Sequence, residues 1–262
     1  MKFFTPSSIF FTLKSGFPQD ISNKLIAWLN SLGSIISINT KDSQTFMADE
    51  MIVFSRSLDF LREEKFINTV NDAIGEEEDS YKKAQSAIIW RRHILTWAGE
   101  HSKHLDGEFC DFGCYDGIGS KIVNDYCELD SFNKKLFIYD NFDTPPDSEP
   151  FPKHSPLLSK EVEERFENSK NVKVIKGILP ESLKDNCPKK IAFAHIDLNN
   201  MPAEIAVLEH IYDRIVTGGI IILDDYGWSA YRDQQREEKN FFKKRKLKVM
   251  ELPTGQGIIL KR

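Results

Sequence analysis

The sequence has no C-x-x-C pair among its four cysteines, Cys110, Cys114, Cys127 and Cys187, and its histidines are scattered. These residues make no zinc signature and read as free, buried thiols. Nor is there an apolar run near the roughly 20 residues that a membrane helix needs, and Met1 to Phe17 lacks a charged, then apolar, then cleavable order. A cytoplasmic protein with no membrane partner is expected. Positive charge is not in excess either: the formal net charge is -5, and the one basic block, Lys243-Lys244-Arg245-Lys246, reads as a solvated helix end. This balance argues against nucleic acid as a partner, because domains that bind the phosphate backbone carry a strongly basic face. No internal repeat is found, and the acidic run Glu76-Glu77-Glu78-Asp79 reads as a solvated connector.

What is present is the composition of a folded globular protein, with 40% hydrophobic and 29% charged residues in 262. One catalytic domain with an extension is the expected plan for this length. Residues 1–106 read as a helical N-terminal extension and residues 107–262 as the catalytic domain. In the extension, helices are expected at Ile21 to Leu32, at Met51 to Ile74 (Phe54, Leu58 and Leu61 at i, i+4, i+7) and at about Tyr81 to His104. In the last of these Trp90, Ile94 and Trp97 make an apolar stripe, read as core.

From Glu108 onward strand-like and helix-like runs alternate, the pattern of a parallel sheet covered on both faces. Strands are expected at Glu108–Gly113, Lys135–Asp140, Val172–Gly177, Lys190–Asp197, Gly218–Asp224, Lys246–Leu252 and Gln256–Lys261. Pro253-Thr254-Gly255 joins the last two as a hairpin. Asp140–Pro156, with Pro145, Pro146, Pro150, Pro152 and Pro156, reads as a long loop able to cover a site. Five alternating units with a final antiparallel hairpin give an α/β, Rossmann-like sheet of seven strands, the inventory of a class I methyltransferase; the reaction has to be argued from the site.

The first expected strand runs into Asp111-Phe112-Gly113-Cys114-Tyr115-Asp116-Gly117-Ile118-Gly119-Ser120, which opens a helix. Glycines there let backbone approach a ligand at a helix N-terminus. The spacing G-x-x-x-G-x-G departs from both the pyrophosphate fingerprint and the phosphate loop. A ligand with an amino-acid end and a ribose fits better, with Asp140 at the end of the next strand placed to accept the ribose hydroxyls. This is the arrangement expected for S-adenosylmethionine, with Asp111, Gly113, Tyr115, Gly117, Ser120, Asp140, Asn141 and Phe142 as candidate contacts.

Two later strand ends carry acids: His195-Ile196-Asp197-Leu198-Asn199-Asn200 and Asp224-Asp225-Tyr226-Gly227. Neighbouring strand ends in such a sheet converge on the ligand crevice. Carboxylates gathered there repel unless one takes a proton or a hard cation joins them. Mg²⁺ on Asp197, Asp224 and Asp225 is the expectation, with Asp197 also beside the cofactor. The competing assignment makes Asp224 and Asp225 turn or N-cap residues.

These residues resemble the macrocin, mycinamicin and novobiocin sugar O-methyltransferases. The resemblance is clearest from Trp90-Arg91-Arg92 to the C-terminus and includes the turn at Asp111, Asp140-Asn141-Phe142, Gly177, the Asp197 strand end and Asp224-Asp225-Tyr226-Gly227. It implies the class I fold, Mg²⁺ on the aspartates matching Asp197, Asp224 and Asp225, and methylation of a sugar hydroxyl in an antibiotic or a cell-surface glycan, with a sugar or nucleotide sugar as substrate. The family typically shows Asp-Gly-Asp at the fourth strand end, its second Asp the general base. Here the run is Asp197-Leu198-Asn199, and an amide cannot take that proton.

The base is therefore open. His195 is one candidate, on the same side of its strand as Asp197; His154 in the proline-rich loop is another; metal activation with solvent as acceptor needs neither. Alternatives to the metal-assisted enzyme are a metal-independent methyltransferase with a histidine base, a non-catalytic S-adenosylmethionine-binding module, and a nicotinamide-dependent sugar reductase. The first 40 or so residues match nothing familiar and are candidates for homo-oligomer contacts or substrate selection.

Overall fold

The computed structural model describes residues 44–75, 82, 85–142 and 157–262. The helix expected at Ile21 to Leu32, most of the proline-rich loop and His154 lie outside the described residues. The chain divides into two compact units, Met1–Leu58 and Asp59–Arg262.

In the first unit, β1 (Gln44–Ala48) and β2 (Met51–Arg56) form an antiparallel hairpin with Phe46 opposite Val53 and Ala48 opposite Met51. Asp49 and Glu50 between them both have positive φ, 53° and 55°, as a two-residue turn of the kind that matches strand twist requires. This corrects the helix expected from Met51. The β-branched pair Ile52-Val53 suits a pleat, and the i, i+4, i+7 spacing of Phe54, Leu58 and Leu61 arose without a helix beneath it.

In the second unit α1 (Glu64–Ile74) buries Phe66, Val70, Ala73 and Ile74, and ends at Gly75 with φ 63°. That face packs on Ile118 and Ile122. Helix α2 (Ile89–Ser102) buries Leu95, Ala98, Gly99 and Ser102. A Cβ on Gly99 would come within 2.6 Å of Cys127 Sγ, so the glycine sets how closely α2 approaches its neighbour. The expected Trp90–Ile94–Trp97 stripe is corrected by one position: Trp97 is 49% exposed, because the small residues make the close face. Extended toward the N-terminus, the true stripe reaches Arg91.

The remaining elements are β3 (Glu108–Phe112), α3 (Ile118–Tyr126), β4 (Leu136–Asp140), α4 (Leu158–Arg165), β5 (Val172–Lys176), β6 (Ile191–Ile196), α5 (Met201–Ile211), β7 (Ile215–Leu223), α6 (Arg232–Lys244), β8 (Met250–Glu251) and β9 (Gly257–Leu260). The seven strands of this sheet run in the order β5-β4-β3-β6-β7-β9-β8. β3 to β7 are parallel, and β9 returns antiparallel to both β7 and β8. Each buried strand is a short apolar run, as in Ile191–Ile196, where every residue is buried, and sheets covered on both faces require this.

Two clusters cover the faces, one drawing on Leu208, Ile211, Phe241 and Phe242, the other on Leu95, Val123 and Val162. The chain reverses direction across the sheet between β3 and β6, so a crevice opens beyond their C-terminal ends. No helix among the described residues is long and apolar enough to cross a membrane.

Candidate active site

The strand register builds the crevice. Asp111 on β3 lies opposite His195 on β6, and both side chains are buried. His195 Nδ1 lies 2.8 Å from Asp111 Oδ1, and its Nε2 lies 3.4 Å from Asp224 Oδ1. Burial disfavours the imidazolium, but Asp111 and then Asp224 outweigh it and push the His195 pKa up to about 10. Both ring nitrogens then donate, and the ring is a cation at neutral pH. Asp111 is held from its other oxygen by the hydroxyl of Ser120.

Asp224, just after β7, is paired through both of its oxygens. Gln256 Nε2 donates to its Oδ1 at 2.7 Å, and Arg91 on α2 donates to its Oδ2 at 2.7 Å. Burial would raise its pKa; the Arg91 guanidinium, His195 and Gln256 hold it well below the usual carboxylate range instead. Arg91 also lies 3.8 Å from Asp225 Oδ1 and packs its guanidinium 4.8 Å from the Trp228 ring centroid.

Asp197, at the end of β6, makes no ion pair among the described residues, and burial followed by the charge of Asp224 outweighs His195 and Arg91 and pushes its pKa up to about 7. Asn199 Nδ2 donates to Asp197 Oδ1 at 3.1 Å. Asn199 itself sits at φ 50°, a left-handed position that Asn tolerates better than most residues. Asn200 then caps α5, accepting from Ala203 N at 3.0 Å. Glu204 of the same helix accepts the Leu198 amide at 3.1 Å, bracing the loop from behind. Ligand-capable atoms of His195, Asp197 and Asp224 all lie within 4.8 Å of one another. Asp225 follows Asp224 directly and is buried beside Arg91.

Next to these acids lies the glycine turn. Gly113 has φ 92°, and a Cβ there would overlap the Asp197 carbonyl, so only glycine lets the β3 and β6 ends meet. Gly117, φ 75°, is the left-handed N-cap of α3. Asp140 accepts the Tyr115 amide at 2.8 Å through Oδ2 and the Phe142 amide at 2.8 Å through Oδ1. It thereby ties the turn to the end of β4, with Tyr115 and Phe142 both at positive φ. The Gly177 amide donates to the Asp140 carbonyl at 2.9 Å, and Asn141 lies partly buried beside it. Phe142 is fully buried in the core rather than lining the crevice.

The structure brings together Asp111 and Ser120, expected in the cofactor turn, with His195, Asp197, Asn199 and Asp224, expected in the aspartate cluster. The sequence reading missed Arg91, Gln256 and Glu204. The signal for Arg91 was an arginine in line with the Leu95, Ala98 and Ser102 stripe; for Gln256, a polar residue opening an expected strand beside the hairpin turn.

A glycine turn, an acid at the next strand end and aspartates at the ends of β6 and β7 are thus gathered at one edge of the sheet. The macrocin-O-methyltransferase (TylF) family model matches residues 99–250, more than half of the chain. The chain belongs to this family. It is an S-adenosylmethionine-dependent O-methyltransferase. Among solved structures, the O-methyltransferase NovP is similar at 16% identity, with 66% of this chain and 80% of that one covered and a TM-score of 0.57. The methyltransferase PaMTH1 of Podospora anserina, bound to S-adenosylhomocysteine, is similar at 13% identity over 94% of this chain and 97% of that one, TM-score 0.53. CalS11, a TDP-rhamnose 3'-O-methyltransferase of calicheamicin biosynthesis, is similar at 13% identity over 76% and 94%, TM-score 0.51. At these identities the likeness is one of fold, the class I methyltransferase sheet of the macrocin-O-methyltransferase family. Among curated proteins none matches.

Proposed function

We propose that this macrocin-family enzyme methylates a hydroxyl of a sugar or nucleotide sugar in the cytoplasm, for a surface polysaccharide or a natural-product glycan, with Mg²⁺ held by Asp197, Asp224 and Asp225. The observation that carries the reading is the pairing of Asp197 and Asp224 beside the glycine turn, their ligand-capable atoms within 4.8 Å. The donor set fits a hard cation: carboxylate oxygens, and in Asp197 an acid whose pKa of about 7 marks negative charge that Arg91 and His195 leave uncompensated. The sugar acceptor follows from family membership and from what NovP and CalS11 are named for.

When bound, S-adenosylmethionine supplies the methyl group and Mg²⁺ a charge that lowers the pKa of a neighbouring hydroxyl. The chain's own residues do the rest. The turn from Gly113 to Ser120, with Asp140 and Gly177 behind it, holds the cofactor. The His195 cation, clamped between Asp111 and Asp224, fixes both acids in place. Asn199 orients Asp197.

A second reading has a specific observation behind it. Arg91 and His195 already bring two cations to Asp224, and an Asp197 with a pKa of about 7 is matched to accept the hydroxyl proton at neutral pH without a metal. His195, protonated and paired on both sides, is then not the base. Transfer of label from methyl-labelled S-adenosylmethionine to a panel of nucleotide sugars, with and without EDTA, separates the two. Loss of transfer in EDTA supports the metal reading; transfer that survives both EDTA and Asp224→Asn removes it.

A further inference from the structure

We propose that Gln256, held by Thr254, is a positioning residue for methyl transfer: it fixes the Asp224 carboxylate so that Asp224 meets its cation through Oδ2 alone, an inference that rests on the Mg²⁺ reading above. Strand register brings the two side chains together. β7 and β9 pair antiparallel with Leu223 opposite Gly257, so the next residues out, Asp224 and Gln256, stand side by side. Both are buried, as is Thr254 in the turn before β9. An Asp224 paired with Arg91 is ionised and can only accept, so the Gln256 carboxamide presents its nitrogen to Oδ1. Its carbonyl end is taken by Thr254, whose hydroxyl donates to Gln256 Oε1 at 3.1 Å. A flipped amide would set its carbonyl against the carboxylate and break the bond from Thr254 as well.

A carboxylate offers about four acceptor sites. On Asp224, Gln256 and His195 take those of Oδ1 and Arg91 takes one on Oδ2, which leaves a single site, on Oδ2, for a ligand. The hairpin turn backs that oxygen too. The Gly227 amide donates to the Gly255 carbonyl at 2.6 Å, and a Cβ on Gly255, at φ 82°, would overlap the Trp228 indole nitrogen. Trp228 in turn packs on the Arg91 guanidinium. Pro253-Thr254-Gly255 therefore reaches Asp224 by two routes, to Oδ1 through Gln256 and to Oδ2 through Trp228 and Arg91. The last hairpin of the sheet thus takes part in shaping the reaction site.

The test is isothermal calorimetry of S-adenosylhomocysteine, and then of Mg²⁺ into that complex, on the native protein, Gln256→Met, Thr254→Val and Thr254→Ser. Methionine keeps the length of the side chain and removes the donor. Loss of a hydrogen bond that orients a metal-ligating carboxylate should weaken Mg²⁺ by roughly 10- to 100-fold, with S-adenosylhomocysteine affinity changed less than about twofold. Thr254→Val, nearly isosteric but without the hydroxyl, should weaken Mg²⁺ in the same direction, and Thr254→Ser, which keeps the hydroxyl, should recover it. This pair serves if Gln256→Met does not fold. Unchanged or tighter Mg²⁺ binding in Gln256→Met, or parallel weakening of Mg²⁺ and S-adenosylhomocysteine, overturns the positioning role. Equal Mg²⁺ affinity in Thr254→Val and Thr254→Ser overturns the part given to Thr254. Failure of the native complex to bind Mg²⁺ overturns the metal reading itself and this inference with it.

Discussion

Asn199 donates its side-chain amide to Asp197 across 3.1 Å from a backbone held at φ 50°. The residue that departs from the family's acid therefore supports an aspartate in place of duplicating it. Asn199→Asp should set a second carboxylate against Asp197 and cost the metal-free protein about 1–3 kcal/mol at pH 8, with much of the loss recovered in millimolar Mg²⁺. Thermal melts with and without Mg²⁺ measure this; a variant that melts like the native protein in both conditions contradicts it.

His195 is expected to stay an imidazolium well past neutrality, because Asp111 and Asp224 together overcome its burial and place its pKa at about 10. Nitrogen chemical shifts of the metal-free protein should show both ring nitrogens protonated up to about pH 9. Titration of the ring near its ordinary value of about 6.5 would return His195 to the list of bases.

Arg91 bridges α2 to the end of β7 through a largely buried ion pair, its side chain 12% and that of Asp224 10% exposed. Arg91→Gln leaves Asp224 without its strongest counter-charge and should destabilise the fold by about 3 kcal/mol. Urea denaturation is the check, and a change below about 1 kcal/mol would show that Gln256 and His195 suffice.

Behind the site, Glu204 on α5 and Glu238 on α6 face each other with Gln234 alongside, all buried. Burial, and then the neighbouring Glu238, pushes Glu204 well up, and burial pushes Glu238 up to about 7. Since the folded value lies above the unfolded one of about 4.3, Glu238 contributes stability that is full below about pH 4 and lost as pH rises through about 7. Glu238→Gln should flatten the fall in Tm between about pH 5 and 7 and raise Tm at pH 8. A slope equal to that of the native protein would mean that Glu238 does not titrate near 7 in the folded state.

The sheet was legible because each strand is an apolar run closed by turn residues, as Ile191–Ile196 is by Asp197 and Asn199-Asn200. The crevice was legible for the same reason: acids at Asp111, Asp197 and Asp224 stand where such runs stop. Pairings were not. Asp111 meets His195 through a strand register that shifts at Glu108/Phe109, and local pattern does not encode that offset. Arg91 and Gln256 reach Asp224 from elements far away in sequence, and a buried Glu204 on α5 looks like any surface glutamate until α6 is packed on it. The β1–β2 hairpin was hidden by a turn, Asp49-Glu50, that carries neither Asn nor Gly. On α2, the two tryptophans dominate the apolar pattern, although the smaller residues make the close contact.

Calorimetric titration of Mg²⁺ into the complex with S-adenosylhomocysteine, for the native protein and Asp224→Asn, tests the metal site most directly. One saturable site is expected in the native protein, lost in the variant, with methyl transfer abolished by EDTA. Absence of Mg²⁺ binding together with full activity in EDTA would contradict it.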